Sequence, residues 1–114
     1  MSGNRLWPRP KSKLLSTKKS LRTAKTAKQM ERHLKGVANH RRIDILFVIA
    51  REEGINVEGI SRALSCNFKT IAEHTRRLAQ AGLIEKKYKG HSVEHHLSPY
   101  GKVFFIFLTS FQSS

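Results

Sequence analysis

Apolar residues recur at i, i+3, i+4 and i+7 through Ile43, Leu46, Phe47 and Ala50, the spacing of an amphipathic helix. Ile45, Val48 and Ile49 widen the stripe, which predicts a helix at the centre of the fold, capped by Asn39 and ended by Gly54. Upstream, from about Ser16, the composition turns helix-permissive, and Leu21, Ala24, Met30, Leu34 and Val37 fall loosely on one helical face. Downstream, a short helix is expected from about Glu58 to Leu64 with Val57, Ile60 and Leu64 inward; Ile55 to Val57 reads alternatively as a brief strand. Ser65-Cys66-Asn67 forms a turn, and Asn67 can cap a further helix that runs to Ala81 and stops at Gly82. Its inner face is Ile71, His74, Thr75 and Leu78. After Leu83-Ile84, polar residues alternate about Lys89-Gly90, and Val93, His95 and Leu97 follow at period two, which predicts a hairpin. Ser98-Pro99 opens a last helix, since proline is tolerated at the first helical position.

Charge changes this picture from a generic small helical domain to one with a polyanionic partner. The 114 residues carry a formal net charge of +14, and nine of the 22 Lys and Arg lie in residues 1–28, which contain no acid. Two regions are therefore expected: a basic, largely disordered arm over residues 1–28 and one domain over 29–114. A field of this sign attracts phosphate, with nucleic acid ahead of an anionic membrane surface. The most apolar run, Val103 to Leu108, is too short to span a bilayer, so no membrane partner is expected. Leu6, Trp7, Leu14 and Leu15 are scattered among Pro, Lys and Arg, so no secretory leader is read there. Cys66 is the single cysteine, which rules out an intramolecular disulfide and makes a reducing cytoplasm the simplest compartment.

Helix, tight turn, helix and then a basic hairpin is a recurring DNA-binding order. The first helix of the pair braces the second, the second fits the major groove, and the hairpin reaches backbone or minor groove beside it. The stretch Thr70-Ile71-Ala72-Glu73-His74-Thr75-Arg76-Arg77-Leu78-Ala79-Gln80-Ala81-Gly82-Leu83-Ile84 resembles winged helix-turn-helix regulators of the ArsR and MarR type. The resemblance extends over about residues 36–111 and includes a wing, Lys86-Lys87-Tyr88-Lys89-Gly90-His91-Ser92-Val93, and a final-helix start, Leu97-Ser98-Pro99-Tyr100-Gly101-Lys102. It implies a mainly α fold with a small β-hairpin, terminal helices used for dimerisation, and sequence-specific binding of double-stranded DNA by a transcriptional regulator. Thr75 departs from the pattern, standing where an apolar residue is usual, which is expected to loosen packing under the helix.

On this reading helix 68–81 enters the major groove and wing 84–97 lies on backbone or minor groove. The DNA-binding set is Asn67, Phe68, Lys69, Thr70, Glu73 and Arg76 on the helix, with Lys86, Lys87, Lys89 and His91 on the wing. Lys69 and Arg76 can donate to guanine or phosphate, and Glu73 can accept from cytosine N4. Phe68 either meets a thymine methyl or packs back on the turn, with packing favoured.

Metal sensing, common where this resemblance applies, is not expected: the resemblance would call for a cysteine pair or a His/Asp cluster on the last helix, and Val103 to Ser114 has neither His nor acid. His95 and His96 are adjacent on a strand and point to opposite faces. No cofactor is expected, and no paired-carboxylate, glycine-loop or nucleophile motif argues for an enzyme. Two other readings stay open, an architectural DNA-coating protein and a protein-interaction winged helix. A small-molecule effector, the operator and the direction of regulation are not legible. Tyr100 to Phe111 is apolar nearly all round, which predicts a homodimer built on this helix, with the helix around Met30 and Leu34 as a further contributor.

The arm should add affinity without selectivity. Each phosphate contact contributes about 0.9 to the slope of log K against log salt. With three or four arm residues engaged, deleting residues 1–28 should flatten the slope by roughly three units per subunit and leave sequence preference unchanged. A salt titration on two duplexes checks this; an unchanged slope would show that the arm stays off the DNA.

Overall fold

The computed structural model describes residues 24–114. Five helices and one hairpin follow in order: α1 Ala27–Val37, α2 His40–Arg51, α3 Val57–Leu64, α4 Phe68–Gln80, β1 Ile84–Lys89, β2 Ser92–Leu97 and α5 Pro99–Gln112. The expected extension of α1 back to Ser16 lies outside the described residues. The chain divides between Met30 and Glu31, and the core described below lies in the second unit.

Side chains that satisfy the first orphan N–H groups set most helix starts. Thr26 and Gln29 cap α1 reciprocally, each side chain accepting from the other's backbone N–H at 3.2 and 2.9 Å, so Ala27 and Lys28 belong to the helix and not to the arm. Asn39 accepts from Arg42 N, Asn56 from Gly59 N, and Ser98 from Gly101 N. α2 ends at Arg51 with Glu52 as its cap, three residues before the expected terminator; Gly54 lies in the loop beyond, at φ +96°.

α2 is the central element. Ile45, Leu46, Val48 and Ile49 are buried, while Ile43, Phe47 and Ala50, expected as the main stripe, are half-buried around them. The widened stripe is the one buried, because α3, α4, α5 and β2 all contact this helix, as expected of a central element. Ile60 of α3, Ile71 and Leu78 of α4, and Leu83, Ile84 and Leu97 at the wing root complete the core. Phe105 of α5 meets Phe47 edge-on at 5.4 Å between ring centroids.

α1 docks through two residues and leaves the apolar positions expected at a dimer contact in solvent. Met30 and Leu34 are exposed; His33 and Val37 are the buried residues. His33 Nδ1 donates to the Ala81 carbonyl at 2.6 Å and its ring lies 4.9 Å from that of Tyr100. A polar ring is preferred there because the end of α4 presents a carbonyl that needs a donor. Thr75 is also buried, and its hydroxyl donates to the Ala72 carbonyl at 2.9 Å, so the departure from an apolar residue leaves no orphaned group.

The hairpin pairs β1 and β2 antiparallel, from Ile84↔Leu97 to Lys89↔Ser92, leaving Gly90-His91 as a two-residue turn with Gly90 at φ +62°. A third segment joins at one point only. Ile55 bridges His95, and Val57, the other end of the suggested strand, is helical. His95 N donates to Ile55 O at 3.1 Å, His95 Nδ1 donates to the same oxygen at 2.9 Å, and Gly54 N donates to His95 O at 2.8 Å.

His95 is 1% exposed, and burial holds its imidazole below the usual histidine range against the opposing pull of the Ile55 hydrogen bond; Lys86 and His96 add to the depression. His74 is depressed as well, by burial and then by Arg42. Both groups bind protons more readily when unfolded, so their contribution is complete above the ordinary histidine pKa of about 6.5 and is lost as pH falls below it. Each unit of depression is worth about 1.4 kcal/mol. Urea unfolding at pH 7.5 and 5.0 should show the wild type losing stability on acidification and His95→Gln losing measurably less; equal losses would remove His95 from the account.

Candidate nucleic-acid interface

The turn before α4 fixes the pose of that helix. Ser65 takes the left-handed conformation at φ 50°, and the Ser61 hydroxyl donates to the Cys66 carbonyl. Asn67 then caps α4, its Oδ1 accepting from Lys69 N at 2.7 Å and Thr70 N at 3.2 Å. Its carboxamide oxygen is thus occupied by the cap, which leaves the amide nitrogen as the outward donor. Ile71, Thr75 and Leu78 bury the inner face and His74 is half-buried beside them. Lys69, Thr70 and Arg76 are exposed on the outer side.

Phe68 does not pack back on the turn as favoured from sequence; it is 51% exposed. Phe68 instead lines an open cleft of about 290 Å³ with Asn56, Val57, Glu58, His91 and Val93. The fold thereby brings the first turn of α4 next to the wing tip, a juxtaposition between residues 23 positions apart in the chain.

Glu73 is not a free acceptor. Arg76 donates to it through Nε at 3.1 Å and Nη2 at 2.6 Å, and Arg77 donates through Nε at 2.9 Å. These hydrogen bonds hold the Glu73 carboxyl below the usual carboxylate range, so it stays ionised and the trio carries one net positive charge. Arg77, absent from the sequence-derived set, is exposed on this surface. The signal was present: an acid with arginines at i+3 and i+4 places both on one helical patch.

The wing residues divide between two faces. Lys86 shares the face of Ile84, opposite the buried His95, and is half-buried. Lys87 and Lys89 are exposed on the other face, where Lys87 pairs across the strands with Glu94 and Glu85 pairs with His96. His91 is exposed in the turn. His96 bridges Glu53 at 3.0 Å and Glu94 at 3.1 Å, and its hydrogen bond holds the Glu94 carboxyl below the usual range. His95 and His96 take opposite faces, as strand alternation requires. Among the described residues no three His, Cys, Asp or Glu side chains are grouped to hold a metal ion, and no helix is long and apolar enough to cross a membrane.

The arrangement matches proteins of known structure. The homodimeric winged helix-turn-helix DNA-binding domain Mb0332 of Mycobacterium bovis, described as a possible ArsR-family transcriptional regulator, is 23% identical with a TM-score of 0.68, over 94% of this chain and 90% of that one. HlyU from Vibrio cholerae is 24% identical with a TM-score of 0.71, over 81% of this chain and 100% of that one. The transcriptional repressor PagR of Bacillus anthracis is 17% identical with a TM-score of 0.65, over 71% and 93%. No curated protein matches the sequence. The structural likenesses establish a winged helix-turn-helix fold, mainly helical with one antiparallel hairpin, as the sequence resemblance implied. Residues 37–104, from the last residue of α1 into α5, match the family described as HVO_A0114, and the chain belongs to that family.

Proposed function

We propose that this chain is a transcriptional regulator that binds double-stranded DNA sequence-specifically, as a homodimer, without catalysing a reaction. The carrying observation is α4: a helix locked on its inner face, capped by Asn67, and presenting Lys69 and Arg76 to solvent two turns apart. Lys69 lies in the first turn, the end that usually enters the groove deepest. Phe68, exposed beside it, suits a thymine methyl. Thr70 and the Asn67 amide can donate to backbone, and Arg76 exchanges Glu73 for a guanine edge or a phosphate. Lys86, Lys87, Lys89 and His91 then position the wing on backbone or minor groove. The solved neighbours described as a DNA-binding domain and as a transcriptional repressor support this reading.

A bidentate contact to guanine contributes about 1–3 kcal/mol against the wrong base. Lys69→Ala should therefore lose selectivity at one position of the half-site. Lys87→Ala should weaken all duplexes about equally and reduce the salt slope. Both variants are compared on a matched and a mismatched site, obtained by selection from a random duplex pool, at one salt concentration. If Lys69→Ala weakens both sites equally while Lys87→Ala changes the preference, the roles of helix and wing are reversed. No enrichment in the selection would favour the architectural reading.

The dimer rests on α5. Phe104, Phe105 and Leu108 pack on the core, while Val103, Ile106, Phe107 and Phe111 remain exposed, Ile106 at 67%. Phe107 and Phe111 stack on each other at 5.6 Å rather than on another element. An apolar stripe along a whole helix is unfavourable in water and calls for a partner. A second copy is that partner, as in the homodimeric Mycobacterium bovis domain. Light scattering should give a dimer at micromolar concentration and a monomer for Ile106→Glu. A monomeric wild type would overturn the assignment.

A further inference from the structure

Four cations converge on an open cleft of about 300 Å³ between α1, α2 and the end of α4: Arg32, Lys35, Arg42 and Arg77. Gly36 makes the convergence possible. A Cβ at that position would lie 2.2 Å from the Ala81 Cβ, so only glycine lets α1 approach the end of α4 this closely. Among the described residues no acid lines the cleft. Glu31 pairs with Lys35 at 3.2 Å, and Glu73, shared with Arg76, offsets part of the Arg77 charge at 2.9 Å.

The other two cations have neutral partners. Arg32 Nη1 donates to Gln80 O at 2.9 Å. Arg42 Nε donates to Gly36 O at 2.6 Å, and its Nη1 donates to His74 Nδ1 at 3.2 Å. Carbonyls at helix ends attract cations, but a guanidinium has five N–H donors and these bonds use one of Arg32's and two of Arg42's. Burial, and then the nearby Arg77 charge, hold the Arg42 pKa below its ordinary value, as expected where positive charge is in excess.

Chemistry and placement select the ligand. The lining carries four cationic heads and one amide on walls of aliphatic stem, Gly36 and Ala81, with no aromatic ring to stack on a base. Guanidinium forks suit phosphate oxygens. Arg77 directly follows Arg76, and Gln80 is one turn further, so the cleft continues from the outer surface of α4. We infer that this cleft clamps a phosphate of the duplex backbone flanking the segment that α4 reads, so that α1 and α2 contribute to the nucleic-acid interface. This rests on the reading of α4 as a duplex-binding helix.

The test uses the full chain carrying Arg32→Gln and Lys35→Gln together, with Arg42 left intact. Binding to a selected duplex and to a mismatched duplex is measured across a salt series. The double variant should flatten the slope of log K against log salt by about one per subunit and leave the preference between duplexes unchanged. Arg32→Lys with Lys35 retained should restore the slope. An unaltered slope in a double variant whose thermal melt shows it folded would overturn the clamp while leaving α4's role standing; a wild type that binds no duplex would overturn both. A parallel NMR titration with inorganic pyrophosphate should shift backbone amides in 32–36 and 77–81, and the duplex should displace it. Simultaneous binding of both would overturn the assignment to DNA backbone and mark a separate anion site.

Discussion

α2 has no single wet side to spare near its middle. Ile45, Leu46 and Ile49 are inaccessible and Val48 nearly so, which spreads buried side chains over more of the helix than one neighbour can cover. The remaining elements follow from that demand. α3 and α4 cover one part, the wing root another, and α5 a third through Phe105. Because α4 is held by the same core through Ile71 and Leu78, its outward residues are fixed by packing that begins in α2. The apolar remainder of α5 is the counterpart: a core this thin absorbs only one face of its last helix.

Buried polar side chains bond to main-chain carbonyls, three of them where elements end and one, Thr75, inside α4. His33 donates to Ala81 O, His95 to Ile55 O, Thr75 to Ala72 O and Ser98 to Gly82 O. Each acceptor is a main-chain carbonyl, and those of Ile55, Ala81 and Gly82 lie outside the helices and the two-stranded ladder. Buried carbonyls outside regular structure are costly when left without a donor, which is what these side chains supply at Ala81 and Gly82. Ser98 also caps α5, tying the α4–β1 junction to the start of the last helix through one hydroxyl.

Features with a local cause were legible in the sequence. Asn39, Asn67 and Ser98 cap as their positions indicate, and the period-two run Val93, His95, Leu97 lies on one face of β2. The Thr26–Gln29 capping box is equally local, and of the apolar residues on that helix Val37 reaches the core while Met30 and Leu34 stay exposed. Other features depend on partners distant in the chain. Nothing near His33 announces a carbonyl 48 residues away, and Ile55 meets β2 through a fold that brings residues 40 apart together. On the candidate interface, exposure of Lys69 and Arg76 followed from helical spacing, whereas the exposure of Phe68 and the split of the wing lysines between two faces required the turn and the strand register to be known.

The Ile55–His95 bridge makes the wing a cantilever with a defined clamp. The root is bolted along one edge of β2, by Gly54 N to His95 O and by His95 to Ile55 O, while β1 holds the other edge. Beyond it β2 is hydrogen-bonded to β1 alone, and at roughly 3.3 Å per residue the span from His95 to His91 is about 13 Å. Deflection of such a beam is smallest at the clamp and grows toward its free end. Lys86, paired with His95, stands at the clamp, while Lys89, paired with Ser92 beside the turn, stands where such a beam is least restrained. Two chemically identical lysines three residues apart are thus placed unlike, one at the clamped root and the other beside the free turn.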